Sequence, residues 1–385
     1  MPTPPDIEIE VFGKTDVGLI REHNEDNFLV ADVTGGVRAS DGRAPFTFKL
    51  GDKGALLLVC DGMGGAAAGE VAAQMAADAI YESLTVAEPQ PRDGFARLMR
   101  RAVRRANERI FIQSRDNQSE RGMGTTCTVA GLVDDTLVVA QIGDSRCYVL
   151  RDGKLAQVTK DQSLAWQLIE AGAMTPDEAK AFEHANIILQ ALGVQEQVEV
   201  VLSQVPLRKG DVALLCSDGL HGPVTDEEML AILIVEHDLQ RAGEALIQKA
   251  LDRDGPDNIT VALARFDGAA LVPPTAEDTV GFIGYEPGSD PVPEPMGPME
   301  DSSLGGQTVE ERLPRDLLTT DDVPTKADTV AGARTVPRDV APPRAARSLL
   351  ALFFLALVAA AAGGIFVMKC ERDQSARSDG RVTLP

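Results

Sequence analysis

The sequence has no C-x-x-C pair and only four histidines, His23, His184, His221 and His237, too scattered for a zinc signature. Its five cysteines, Cys60, Cys127, Cys147, Cys216 and Cys370, are odd in number, and four sit in apolar runs that read as strands. That is the pattern of reduced, buried thiols and excludes a disulfide framework. Basic residues are scarce: 37 Lys and Arg stand against 59 Asp and Glu, a formal charge of −22. A nucleic-acid-binding protein is excluded on that ground, since phosphate backbones need clustered Lys and Arg. Several phosphate and acyl-transfer signatures are missing too. No Gly-Lys-Ser/Thr closes a P-loop, no cysteine is followed six places on by arginine, and no Gly-x-Ser-x-Gly elbow is present. Asp252-Arg-Asp254 has the form of an aspartyl-phosphate motif but follows a helical pattern where that motif needs a strand.

What is there is 44% apolar, enough for a sizeable core over 385 residues. Charge marks the boundaries. Residues 1–266 carry a net −15 and show regular apolar patterning; residues 267–343 carry −10 with twelve prolines and little periodicity; residues 344–385 carry +3. We therefore expect a folded domain over 1–266 and an acidic, Pro-rich, disordered linker over 267–347 that cannot bury enough surface to offset its chain entropy. Residues 348–368, SLLALFFLALVAAAAGGIFVM, hold no charge over 21 positions. A helix of that length spans a hydrocarbon core of ~30 Å. We expect a transmembrane helix there, with 369–385 a short tail. No signal peptide precedes it, and Lys/Arg counts at its two ends are tied, so the expected orientation rests on topology. Moving a 17-residue tail across is easier than exporting a folded domain, which predicts a single-pass cell-membrane protein with its domain cytoplasmic. Small residues at Ala359/Gly363 and Ala360/Gly364 have the spacing that permits helix pairing.

Within the domain, Ala55–Cys60, Thr126–Leu132, Thr136–Ile142, Arg146–Arg151, Val212–Cys216 and Ile259–Phe266 read as strands. Asp152-Gly153 is a hairpin signal, because glycine tolerates the positive φ of a primed turn. Successive hairpins predict antiparallel sheets in a domain of mixed helices and strands, not a βαβ series. Apolar spacing predicts helices over Gly69–Leu84 and Phe95–Phe111, the latter with Arg97, Arg100, Arg101, Arg104 and Arg105 on a solvated face. A helical insertion spans about Ser163–Ala185 and contains Thr175-Pro-Asp-Glu178, which has the capping-box form.

Aspartates recur at strand ends. Asp61 opens Asp61-Gly-Met-Gly-Gly65; Asp144 lies in Gly143-Asp-Ser-Arg146; Asp218 lies in Ser217-Asp-Gly219; Asp257 starts Asp257-Asn-Ile-Thr260; and Arg21-Glu-His-Asn-Glu25-Asp26 stands near the N-terminus. Singly, each reads as a turn, a cap or a solvated pair. If the strand ends converge, repulsion among the carboxylates must be offset, and bound cations do that. The donors are all oxygens, which suits Mg²⁺ or Mn²⁺ and not Zn²⁺. The glycines after Asp61 let backbone approach an ion.

These motifs, in this order and together with Gly69-Glu70, Gly124-Thr-Thr126 and Thr159-Lys-Asp-Gln-Ser163, resemble the bacterial branch of the metal-dependent PPM (type 2C) protein phosphatases over about residues 8–266. The resemblance implies an α+β fold, a four-layer sandwich of two stacked antiparallel sheets flanked by helices. It implies two catalytic ions, Mn²⁺ or Mg²⁺, and the third often seen in bacterial members. By position, Asp61 would bridge two metals, Asp218 and Asp257 would complete one site, and Glu25 with the Gly62 carbonyl would serve the other. Asp144, with Asp218, would hold the third. Asp26 would orient the water and Arg21 would grip the substrate phosphate. The insertion after Asp161 would be a mobile flap. One departure stands out: Ala66 occupies the position where histidine usually follows the glycines. The implied activity is hydrolysis of phosphoserine and phosphothreonine in proteins by a metal-activated water, reversing a cognate Ser/Thr kinase. A phosphoprotein-binding pseudophosphatase is the competing class, and the complete acidic set argues against it. In the linker, Thr279, Thr308, Thr329 and Thr335 precede valine and are candidate sites for a partner kinase.

Overall fold

A computed structural model describes residues 6–288, apart from 41, 43, 65–67, 176, 177, 180, 181, 183, 185 and 186. The expected membrane span at 348–368, its pairing glycines and the linker beyond 288 lie outside the described residues. Among the described residues no helix is long and apolar enough to cross a membrane.

Two six-stranded sheets form the body. The first contains β1 (Glu8–Asp16), β4 (Phe46–Lys49), β10 (Arg146–Arg151), β11 (Lys154–Gln157), β13 (Val212–Cys216) and β14 (Ile259–Asp267), in the order β11-β10-β13-β14-β1-β4. The second contains β2 (Asn27–Asp32), β3 (Val37–Ala39), β5 (Ala55–Cys60), β8 (Cys127–Val133), β9 (Thr136–Ile142) and β12 (Val201–Pro206), in the order β12-β9-β8-β5-β2-β3. A two-stranded ribbon pairs β6 (Gly62–Met63) with β7 (Gly124–Thr125). Every pairing is antiparallel, as the hairpins predict. At the β10–β11 turn, Asp152 and Gly153 both take positive φ, 47° and 71°, the requirement of a type I′ hairpin.

Side-chain alternation explains why the central strands read as continuous apolar runs. Leu57 and Val59 of β5 enter the core between the sheets, whereas Leu56, Leu58 and Cys60 face the helices outside. In β14, Ala262 and Ala264 face the other sheet, and Val261 and Leu263 face outward to helices. With both faces covered, period-two alternation of polarity disappears. The outer layer on the second sheet is α1 (Ala68–Val86) and α2 (Arg92–Asp116). On the first sheet it includes α4 (Asp218–His221), α5 (Asp226–Val235) and α6 (Leu239–Leu251). The order helix, sheet, sheet, helix is the expected sandwich.

The insertion after Asp161 begins as α3 (Leu164–Glu170), with Ser163 accepting a hydrogen bond from the Trp166 amide as its N-cap. Further on, the Thr175 capping box forms: the Glu178 carboxylate accepts from the Thr175 amide and the Glu178 amide donates back to Thr175 Oγ1. The chain read as linker from 267 does not leave the domain at once. Residues 268–288 run over it as a strap, pinned by an Arg208–Asp278 ion pair at 2.7 Å and by Gln204 and Tyr285 amides bonded to Ile283 and Leu202 carbonyls beside β12. Sequence pattern missed this segment because it binds through isolated contacts, not a periodic face.

Candidate active site

Antiparallel pairing brings the chemistry to one end of the sandwich. Asp61 and Asp144 follow the C-terminal ends of β5 and β9, while Asp26 precedes β2, the antiparallel neighbour of β5. In the other sheet Asp218 follows β13 and Asp257 precedes β14, again antiparallel neighbours. The ends meet. Asp26, Asp218, Asp144 and Asp257 all bear electrostatically on Asp61.

That gathering perturbs the acids. Burial, then the neighbouring carboxylates, pushes Asp61 well above the usual carboxylate range. Burial likewise raises Asp218, with Asp257 adding to it, and raises Asp144 to about 7, with Asp218 adding to it. Asp26 is raised by burial even though its Oδ2 accepts from Ser217 Oγ (2.7 Å) and Thr260 Oγ1 (2.6 Å). Such a cluster stores repulsion that a cation would relieve.

The residues fit divalent ions by two observations. Asp26 Oδ1, Asp144 Oδ1 and Asp218 Oδ1 are buried with no hydrogen-bond partner, and orphaned buried oxygens are rare without cause. Glycine also makes room where the second cradle is expected. A Cβ on Gly69 would lie 2.8 Å from both Glu25 Oε2 and the Gly62 carbonyl carbon, and one on Gly62 would lie 2.4 Å from the Glu25 and Gly69 carbonyl oxygens. Glu25 and Gly62 are therefore neighbours only because both glycines lack side chains. Among the described residues no three His, Cys, Asp or Glu side chains converge as a ready-made ion cage. Arg21, exposed at the mouth, donates from Nη2 to Asp257 Oδ2 at 2.7 Å, which raises its own pKa further. All eight sequence-predicted positions thus face one end of the sandwich; Ala66, the departure from the family pattern, lies outside the described residues.

Several positioning residues had no role assigned from sequence. Asn258 is one: its Nδ2 donates to the Val17 and His23 carbonyls and its Oδ1 accepts from the Glu25 amide, at 3.0, 3.0 and 2.8 Å. It ties the Arg21–Asp26 loop to β14. Thr126 is another, accepting from the Asp61 amide at 2.9 Å and bonding Ser145 Oγ at 2.8 Å. Arg146 forks onto Asp161, Nε and Nη2 reaching Oδ2 at 3.0 and 2.7 Å. Gln162 exchanges bonds with Gly143, its amide donating to the carbonyl and its Oε1 accepting from the amide. Together they hold the Asp144 turn against the root of the insertion. The only available signal was their place inside the motifs.

Comparison with known proteins agrees with this geometry. Residues 44–253 match the family model described as protein phosphatase 2C. The chain is 36% identical over 258 residues to the serine/threonine phosphatase stp of Listeria monocytogenes, covering 66% of this chain and 94% of that one. It is also similar to the crystal structure of the Mycobacterium tuberculosis serine/threonine phosphatase PstP, with 35% identity and a TM-score of 0.58 over 68% of this chain and 99% of that one. A structure of the PstP catalytic domain in complex with two manganese ions matches with 35% identity and a TM-score of 0.56 over 68% of this chain and 99% of that one. Two antiparallel sheets with acids gathered at one end, seven ordered motifs and these relatives lead to one conclusion: the chain belongs to the protein phosphatase 2C family and is a metal-dependent serine/threonine protein phosphatase.

Proposed function

We propose that Asp61, Asp218 and Asp257 hold one divalent ion, that Asp61, Glu25 and the Gly62 carbonyl hold a second, and that Asp144 with Asp218 holds a third. The observation that carries this reading is the set of unpartnered, buried aspartate oxygens facing one end of the sandwich. Hard oxygen donors point to Mn²⁺ or Mg²⁺. Bound there, the ions supply an activated water and stabilise charge on the transferring phosphoryl group. The chain's own residues do the rest. Arg21 binds the phosphate, its guanidinium matching two phosphate oxygens. It reaches the substrate by exchanging its bond to Asp257 for one to the incoming anion. Asp26, fixed by Ser217 and Thr260, accepts a hydrogen bond from the attacking water at its free Oδ1 and orients it.

The substrates on this reading are phosphoserine and phosphothreonine proteins, and the enzyme reverses a cognate Ser/Thr kinase. The uncharged stretch at 348–368 supports a single-pass anchor in the cell membrane, with the phosphatase domain cytoplasmic. Protease added to intact spheroplasts would then leave the domain uncut, and its digestion would overturn that orientation. The central test is Asp61→Asn. Turnover of a phosphothreonine peptide with saturating Mn²⁺ should fall by orders of magnitude while circular dichroism is unchanged. Near-wild-type turnover would refute the metal assignment.

A further inference from the structure

Arg21, which the proposed function sets on the substrate phosphate, lies between two kinds of surface. After it come Glu22 and His23, both exposed and polar. Before it come Leu19 and Ile20, 65% and 68% exposed. A single exposed aliphatic side chain is ordinary on a protein surface. Here two stand in succession beside the group that grips the substrate, on a loop that is fixed at every turn.

The fixing is specific. The Gly18 amide donates to Asp16 Oδ1 at 2.9 Å, the Val17 carbonyl accepts from Asn258 Nδ2 at 3.0 Å, and the Leu19 amide donates to the Gly255 carbonyl at 2.8 Å. Gly18 takes a φ of 76°, and a Cβ there would lie 2.2 Å from the Asp257 carbonyl oxygen. The loop therefore rests directly on the backbone of one of the gathered acids. A Cβ on Gly255 would lie 3.1 Å from Leu251 Cδ2 and 3.3 Å from Leu19 Cγ. Leu251, the last residue of α6, and Leu19 thus share one aliphatic patch over a glycine, and Ile20 carries exposed aliphatic surface on to Arg21.

This patch is continuous with the phosphate grip. Successive loop residues are about 3.8 Å apart, and an extended substrate advances about 3.3–3.6 Å per residue. With the phosphorylated side chain on Arg21, the substrate residue beside it comes within reach of Ile20 and Leu19. An aliphatic side chain covering them removes apolar surface from water, and the loop, already fixed, has little ordering left to undergo.

We infer that Leu19 and Ile20 form a specificity-determining shelf for an aliphatic residue adjoining the phosphothreonine or phosphoserine. The enzyme then prefers phosphoproteins with valine, leucine or isoleucine next to the modified residue. The inference rests on the proposed function, because it needs Arg21 on the phosphate. The shelf touches no reacting atom, so its contribution appears in KM and not in kcat.

Steady-state kinetics of the full chain on phosphothreonine peptides, with saturating Mn²⁺, test it. The residue before the phosphothreonine is valine or serine in one series, and the residue after it in the other. In at least one series kcat/KM should favour valine about tenfold, within the range that small apolar contacts supply, with the difference in KM. Leu19→Ser combined with Ile20→Ser should bring that ratio close to one, and Leu19→Met combined with Ile20→Val should keep it. Each ratio compares two substrates on one enzyme, so any loss of folded protein or bound metal cancels. Valine and serine peptides cleaved alike by wild type in both series would overturn the inference and leave the proposed function standing. So would a preference that survives the two serines. A wild-type enzyme that cleaves none of the peptides would overturn both.

Discussion

At the scale of single residues, the site is held less by its acids than by the neutral side chains behind them. Carboxylates that repel one another cannot set their own positions; something uncharged must. Asn258 does this for the N-terminal loop, using both ends of its amide on three backbone groups that lie over 230 positions away in sequence. It is 5% exposed, so water cannot replace those bonds freely. Asn258→Ala should therefore cost about 2–4 kcal/mol of stability, from the 1–3 kcal/mol typical of each buried group left unpaired. It should also raise the Mn²⁺ concentration for half-activation about 10–100-fold, the usual effect of losing a residue that orients a ligand. Turnover at saturating Mn²⁺ should stay close to wild type, because no reacting atom is touched. Denaturant unfolding and a metal titration of activity check the two halves separately. Thr126→Val should act in the same way on Asp61, leaving the Asp61 amide and the Ser145 hydroxyl without their shared partner.

Among the secondary elements, most of those that place the acids were legible, with β2 beside Asp26 the exception, and those that brace them were less so. Thr136–Ile142, Arg146–Arg151 and Val212–Cys216 match their sequence-predicted spans residue for residue, because strands buried on both faces are unbroken apolar runs. α1 exceeds its predicted range by one residue at its start and two at its end, and α2 by three and five, the added residues of α2 being largely polar and without an apolar period. The short edge strands β3 and β4 escaped notice because each has only half-buried or exposed residues. The strap escaped for another reason: its fixings are single pairs. The strongest is Asp278, whose carboxylate takes Arg208 on one oxygen and the Thr275 amide and hydroxyl on the other. These partners hold its pKa well below the usual 3.8. A depressed folded pKa contributes stability that is present above the unfolded value and lost as pH falls through the folded one. Asp278→Asn should accordingly loosen the strap at neutral pH, seen as faster amide exchange over 275–285. The difference from wild type should persist down to pH 3.8 and close only in stronger acid. Lys160 would report the loosening next to the site, since its ammonium sits 5.0 Å from the Phe282 ring while pairing with Glu170 of α3.

Over the whole molecule, stability and function oppose each other at one end of an otherwise apolar sandwich. Strands β1 and β14, near the two ends of the described chain, pair along nine residues in the middle of a sheet, and a packed layer of side chains covers each of their two faces. That body is what tolerates several mutually repelling aspartates at its end. Its cost should be visible without metal. Asp61→Asn removes the charge at the centre of the cluster, so the metal-free variant should unfold at the same temperature as metal-free wild type or a few degrees higher. With Mn²⁺ the order reverses. A ligand that binds only the native state adds RT ln(1 + [L]/Kd), about 2.7 kcal/mol at 100 times Kd. For a domain of this size that is a rise in Tm of roughly 5–10 °C, taking about 2–4 °C per kcal/mol. Wild type should show this shift with Mn²⁺ and lose it with EDTA, and Asp61→Asn should show little of it. Arg21→Ala separates the cluster from its salt bridge: it removes the only guanidinium bonded to Asp257 among the described residues while leaving the carboxylates intact. Its metal-free Tm should fall, and its Mn²⁺ shift should equal or exceed that of wild type, because the ion then binds without competing against Arg21. A Mn²⁺ shift that is unchanged in Asp61→Asn would mean that the ions bind elsewhere, and that the gathered aspartates are not their site.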